Sequence, residues 1–334
     1  MKINIYTKYG ILITVLVSVI FYIQFFYIKN IENIENIVSD MSTSCGFFSM
    51  FFFTLNHYIY CKQNKINFKM DTSKWKYKTK IGWTDYFENV ELKYNLTNIL
   101  EKLFGHGDQL FDCSIQTYKD AIPELYIYNN NTKNEINNVK SHFNLTNGNY
   151  DSIYIRRGDK LASESKYYEG KEYIELLLKK NPNCKQIFLQ TDDYNAYIEV
   201  KQYIDIYKLN IQIYTTCDEN ITGMVESTGY INEIIESTGN VNHRNNKYLN
   251  SIMENIKNTK TISEMNSDEI YKHTLELITG IDILINSNIC ICDFQSSVSR
   301  FVKLTHKNSD NVFDIINPDI DIDYNKTICP AYSF

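Results

Sequence analysis

The chain has 334 residues, 43% hydrophobic, 14% aromatic and 22% charged, a composition able to bury a sizeable core, which excludes disorder for the whole. At roughly 100 to 200 residues per domain, this length suits two domains. A net charge of −6, with 34 Lys and Arg spread thinly, leaves no basic footprint and excludes nucleic acid as the main partner.

From Tyr9 to Ile28 the chain runs twenty residues without a charge, bracketed by Lys8 and Lys29. At about 1.5 Å per residue such a helix spans the roughly 30 Å of a hydrocarbon core, so it reads as a transmembrane anchor. No small-residue cleavage site follows, which argues against a removable signal peptide. Lys2, Lys8 and the α-amine lie on one side; on the other, Lys29 is met by Glu32, Glu35 and Asp40. That asymmetry puts residues 1–8 in the cytoplasm and, after a stem over 29–42, the body in the lumen of the secretory pathway, as a type II membrane protein. Met41 to Tyr60 is also uncharged but holds Ser42, Thr43, Ser44, Asn56 and His57. Polar groups are costly in lipid, so a buried helix from about Phe48 to Cys61 fits better than a second span.

Beyond it, short apolar or β-branched runs at 66–70, 124–128, 152–156, 187–191, 211–215 and 288–294 alternate with helical patterns at 171–180, 194–206, 266–285 and 296–306. This alternation predicts an α/β fold with parallel sheets and helices on both faces. Asn129 to Tyr150, polar and aperiodic, is the natural junction between a domain over 43–148 and one over 149–334. The 226–239 segment, where ESTG occurs twice, reads as a surface insertion. Among eight cysteines none has metal-site spacing; Cys290 and Cys292 flank Ile291 in an apolar strand and read as small core residues. The chain is rich in Asn, so its N-glycosylation sequons at Asn95, Asn130, Asn144, Asn220 and Asn325 carry little weight.

In doubly wound sheets, ligands sit beyond the carboxyl ends of the strands. Three predicted strands end in polar clusters: SIYIRRGDKLASES (152–165), IFLQT followed by Asp192 and Asp193, and NICICDFQSS with Asp293, Ser296 and Ser297. Adjacent Arg156 and Arg157 point to opposite faces of a strand, so one can reach a ligand while the other anchors the loop through a carboxylate such as Asp159. Arginine suits a diphosphate because its planar fork donates two parallel hydrogen bonds and keeps its proton. Backbone N–H groups and hydroxyls at the helix start after 296 suit a phosphate too. The bland alternatives are a solvated Arg–Asp pair for RRGD and a helix cap for Asp192 and Asp193. In DIDID, Asp319, Asp321 and Asp323 share one face, which reads either as a solvated edge or as a metal ligand set.

IRRGDKLASE resembles the HxRRxDK…E segment of the α1,6-fucosyltransferases, within the broader fucosyltransferase superfamily. FLQTDD is similar to their strand ending in TDD, and CDFQSSVSRF to their CTFSSQVCR. In the first domain, CGFFSMFFFTLNHYIYC and KWKYKTKIGW resemble their CGxGCQLHHxxYC and WRYxxxGW. The resemblance covers about residues 45 to 305 in the same order. It implies a GT-B-like plan of two Rossmann-like domains behind an N-terminal transmembrane helix, and an inverting glycosyltransferase that takes a nucleotide sugar, GDP-fucose, and a glycan acceptor without cofactor or metal.

The resemblance further implies that Arg156 meets the β-phosphate and that Ser296 and Ser297 give further donor contacts. Glu164 stands at the catalytic carboxylate with Lys160 close by. Arg157, Asp159, Asp192, Asp193 and Tyr154 complete the expected donor site. Two positions depart from the family: Tyr154 replaces a His, and Gly280 replaces an acidic residue, with Asp282 two positions on. Both family positions help bind guanine, so another nucleotide sugar, or an inactive glycan-binding glycoprotein, stands as the alternative.

Overall fold

A computed structural model describes residues 36–43, 45–94, 114–158, 166–221, 223 and 261–320. The expected anchor over 9–28, together with Asp159, Lys160, Glu164, the 226–239 segment, Asp321 and Asp323, lies outside these residues.

The first described element is a βαβ unit. β1 (Asn36–Asp40) and β2 (Asn67–Asp71) pair in parallel, joined by α1 (Phe47–Asn64). β1 falls inside the expected stem, where polar neighbours mask it; Ser39 is buried and donates to Thr54 Oγ1 at 3.1 Å. α1 is buried nearly all round, which the run FFSMFFF requires. Its polar groups have partners within the protein: Tyr118 Oη donates to Asn56 Oδ1 at 2.6 Å. The helix ends at Lys65, whose left-handed backbone (φ 53°) sends its N–H back to the last turn. Among the described residues no helix is long and apolar enough to cross a membrane, and the second uncharged run contributes Phe47–Tyr60 to the buried helix α1.

Two helices follow where none was expected, α2 (Ile115–Leu125) and α3 (Asn130–His142). The predicted strand at 124–128 is instead the end of α2 plus one antiparallel bridge between Tyr128 and Phe87. Its alternating tyrosines pack on aromatic rings: Tyr126 lies 4.6 Å from Phe87 and 4.7 Å from Phe301. The polar stretch after Asn129 is helical because Asn129 caps it, accepting from Thr132 N at 2.9 Å. Thr132, Ile136, Val139 and Phe143 then make a narrow inward stripe at helical spacing.

The rest is a five-stranded sheet. Its elements are β3 (Asp151–Ile155), α4 (Gly170–Lys180), β4 (Gln186–Thr191), α5 (Tyr194–Ile206), β5 (Gln212–Tyr214), α6 (Ser267–Ile285), β6 (Cys290–Cys292), α7 (Ser297–Thr305) and β7 (Val312–Asp314). The strands run parallel in the order β5-β4-β3-β6-β7. This is the doubly wound arrangement, and the order reverses between β3 and β6, where ligands bind in such sheets. All five residues of β3 are buried, as a strand between two helical layers requires. β7, three residues long, gave no periodic signal.

The two sheet faces pack differently. Ile153, Ile155 and Leu189 face α4 and α5. Tyr154, Phe188, Cys290 and Cys292 face the other way, into one cluster that joins α6, α7 and the aromatic residues of the βαβ unit. Phe48 sits 4.6 Å from Phe301, and Tyr86 stacks on Tyr271 at 5.5 Å. The described residues thus hold two parallel sheets, one of two strands and one of five, with helices packed on them, the α/β class that the alternation predicts. No disulfide joins two described cysteines.

Candidate functional site

Where the first part meets the carboxyl rim of the sheet, a cleft of about 980 Å³, counting its share open to solvent, lies at the reversal point. Tyr154 and Arg156 line it from β3, Gln190 and Asp192 from β4, His273 and Glu276 from α6, Ser296 and Ser297 from the start of α7, and Phe48, Ser49 and Tyr77 from the first part.

The two arginines separate as strand alternation demands. Arg156 continues the cleft side of β3, and its Nη1 donates to Asp192. The second oxygen of Asp192 accepts the Arg157 backbone N–H at 2.7 Å. With only 9% of its side chain exposed, the Arg156 charge acts across a medium less polarisable than water.

Arg157 takes the opposite side and is 1% exposed. Its Nη1 donates to Glu199 at 3.0 Å and to Asp193 at 3.2 Å, and its Nη2 to Glu199 at 2.7 Å. The Tyr167 ring lies 4.6 Å from the guanidinium. Burial opposes this charge, but Glu199, Tyr167 and Asp193 together outweigh burial and shift the arginine upward. Arg157 and Asp193 therefore do not face the cleft, against expectation: a fully buried guanidinium needs carboxylate partners, and Asp193 and Glu199 hold it. Asp193 also caps α5, accepting from Asn195 N at 3.1 Å. Of the paired carboxylates, only Asp192 reaches the site.

Ser296 caps α7, its Oγ accepting from Val298 N at 3.3 Å. Ser297 Oγ lies 3.0 Å from Ser49 Oγ, so the first turns of α1 and α7 meet across the cleft. Helix starts favour anions there.

Tyr154 is 4% exposed and stands in register with Gln190 on the cleft side. A Cβ on Gly280 would fall 1.9 Å from Gln190 Oε1, so Gln190 fills the place where a side chain would stand. The carboxylate on this wall is Glu276, one helical turn earlier. Asp282 is not at the cleft; it pairs with Lys140 and accepts from Asn286 Nδ2 at 3.3 Å. Burial raises the Glu276 carboxyl. Burial, helped by the charges of Arg156 and Lys76, lowers His273 to about 4, so its imidazole is neutral at neutral pH.

Sequence reading missed Glu199, Gln190, His273 and Glu276, though two signals were present. Glu199 sits between Ala196 and Val200 on the buried face of α5, where a charge needs a buried partner. His273, Glu276, Leu277 and Gly280 recur at helical spacing along one side of α6. Asp319 pairs at the surface with Lys180 at 3.3 Å and is 83% exposed, and among the described residues no cluster of His, Cys, Asp or Glu could hold a metal.

No protein-family model and no curated protein matches the chain by sequence. Solved structures match by fold. A NodZ α-1,6-fucosyltransferase from crystals soaked with GDP-fucose aligns over 85% of this chain and 96% of its own, with a TM-score of 0.51 and 10% identity. A fucosyltransferase NodZ structure from Bradyrhizobium aligns over the same shares with a TM-score of 0.50 and 10% identity. The chain thus resembles the fucosyltransferases in fold, as its motifs lead one to expect.

Proposed function

We propose that the protein is an inverting glycosyltransferase that moves fucose from GDP-fucose to a glycan hydroxyl. The observation that carries this reading is Arg156, held at the reversal point of the sheet by Asp192 and facing the start of α7 with Ser296 and Ser297. That arrangement suits a diphosphate, and the NodZ structure of the same fold was soaked with its sugar nucleotide. In the reaction Glu164 takes the proton of the acceptor hydroxyl, the acceptor oxygen bonds to C1 of the sugar, and the bond from C1 to the β-phosphate oxygen breaks. Charge growing on the leaving diphosphate is stabilised by Arg156 and Lys160, more in the transition state than before it, without a metal ion.

The guanine base lies against α6. Glu276 supplies the carboxylate that Gly280 lacks, and a carboxylate accepts both N–H donors of the guanine edge. Residues 9–28 anchor the enzyme so that its body faces the lumen. The test is calorimetric titration with GDP, followed by transfer from GDP-fucose with a chelator present. Binding and turnover that vanish in Arg156→Ala are expected; wild-type protein that binds no nucleotide sugar would sink the proposal. The occupation of the Gly280 position by Gln190 favours one rival, a transferase of this fold with another nucleotide sugar. Preference for UDP over GDP in the same titration would establish that rival.

A further inference from the structure

On the cleft wall, the Gln190 side chain of β4 lies against a helix position that has no side chain of its own. It is 8% exposed and stands in register with Tyr154 of β3. A Cβ on Gly280 of α6 would fall 1.9 Å from Gln190 Oε1 and 2.9 Å from Nε2, so the amide fills space that any other residue at 280 would claim.

The two ends of this amide differ. Oε1 accepts from Thr216 Oγ1 at 3.3 Å, and both residues line the cleft. Nε2 has no hydrogen-bond partner among the described residues. That nitrogen carries two N–H donors, and a buried donor left unmade costs free energy, so a ligand oxygen in the cleft is its natural acceptor. One turn earlier on α6, about 6 Å at 1.5 Å per residue, the carboxylate of Glu276 offers only acceptors. A ring with a keto oxygen beside a ring N–H answers both: the oxygen accepts from Gln190 Nε2 and the N–H donates to Glu276. Guanine with O6 and uracil with O4 have that edge, whereas adenine and cytosine carry an amino group there and would set donor against donor.

We propose that Gln190 is the specificity-determining residue for the base: its Nε2 donates to the ring keto oxygen of a nucleoside diphosphate and selects guanine or uracil over adenine and cytosine. The inference rests on the glycosyltransferase reading for the presence of a nucleotide in the cleft, and adds which atom of the base is read.

Calorimetric titration of the full chain with GDP, UDP, ADP, CDP, 6-thio-GDP and 4-thio-UDP tests it. The thio analogues keep every N–H and exchange only the keto oxygen for sulfur, a weak acceptor. Expected are ADP and CDP on the order of tenfold weaker than the better of GDP and UDP, and a loss of about fivefold from that nucleotide to its thio analogue. In Gln190→Leu, similar in size but without a donor, the thio loss should shrink to within about twofold. Gly280→Ala keeps the glutamine but pushes its amide aside, at a position where alanine suits a helix better than glycine, and should shrink the loss likewise. A thio loss as large in folded Gln190→Leu as in wild type overturns the proposal, as does tighter binding of ADP or CDP. If Gln190→Leu does not fold, an undiminished loss in Gly280→Ala overturns it instead. A glutamine with only a structural role would weaken all the nucleotides by one factor and leave their ratios unchanged, which also overturns it. Wild-type protein that binds none of these nucleotides overturns the proposed function and this inference together; binding without any thio loss overturns this inference alone.

Discussion

The two faces of the five-stranded sheet put the same residue type to opposite uses. On the face covered by α4 and α5, Arg157 is sealed among Asp193, Glu199 and the Tyr167 ring. On the face that opens into the cleft, Arg156 has Asp192 beside it and a neutral imidazole, His273, nearby. One arginine thus serves as scaffold and its neighbour as a cleft-facing charge, and the difference follows from the two-residue period of a strand. A motif containing both cannot show which is which until the covering layers are known.

The widest separation of the two roles comes from removing each in turn. Arg157→Ala leaves Asp193 buried, and Glu199 part-buried, without their cation, and breaking a buried pair costs about 3–5 kcal/mol. Denaturant melts should register that loss, with folding itself at risk. Arg156→Ala also takes the cation from Asp192, but that carboxylate keeps the Arg157 backbone N–H and opens on the cleft, so the melting midpoint should fall less while transfer drops by about 10²–10³-fold, the cost of removing one electrostatic contact to a developing charge. Were the two variants to behave alike in both assays, the division between the faces would be wrong.

A smaller effect is expected at the helix start on the open face. Ser296→Ala removes the cap of α7 and should cost about 1 kcal/mol of stability, the usual value for losing a capping oxygen. Titration with GDP should show weaker binding as well, since the same turn faces the cleft. Ser297→Ala keeps the cap, so it is the control that separates the two readouts.

Much of this was legible in the sequence where one element obeyed one rule. The strands at 151–155 and 186–191 and the helix at 194–206 are periodic and sit within a residue or two of where the pattern put them. The polar strand ends pointed to the carboxyl rim, and Arg156, Asp192, Ser296 and Ser297 line it. What escaped depends on partners far away in the chain. β1 is a strand because β2 pairs with it, and the 124–128 run is not one because its tyrosines pack on Phe87 and Phe301. Asp193 looks like a site residue beside Asp192 until Arg157 claims it from the other face. The carboxylate proposed above to stand in for an acid at Gly280 was hidden for a related reason. Glu276 lies four residues earlier, which on a helix is nearly the same direction and along a sequence is a different position.

The last contrast lies in the pH dependence of the open face. His273 has an ordinary value near 6.5 when unfolded and about 4 when folded, lowered by burial and then by Arg156 and Lys76. Between those values the unfolded chain binds the extra proton, so stability falls as pH drops below about 6.5 and the loss is complete near 4. Glu276 has the opposite sign. Burial raises its carboxyl, so the folded state takes up a proton first on acidification, and this offsets part of the loss. Thermal melts from neutral to mildly acidic pH should therefore show a shallower decline in His273→Gln than in wild type, and a steeper one in Glu276→Gln. A decline in His273→Gln as steep as wild type would mean that the imidazole is charged or solvated when folded. The open face would then carry a second cation beside Arg156 only below about pH 6.5.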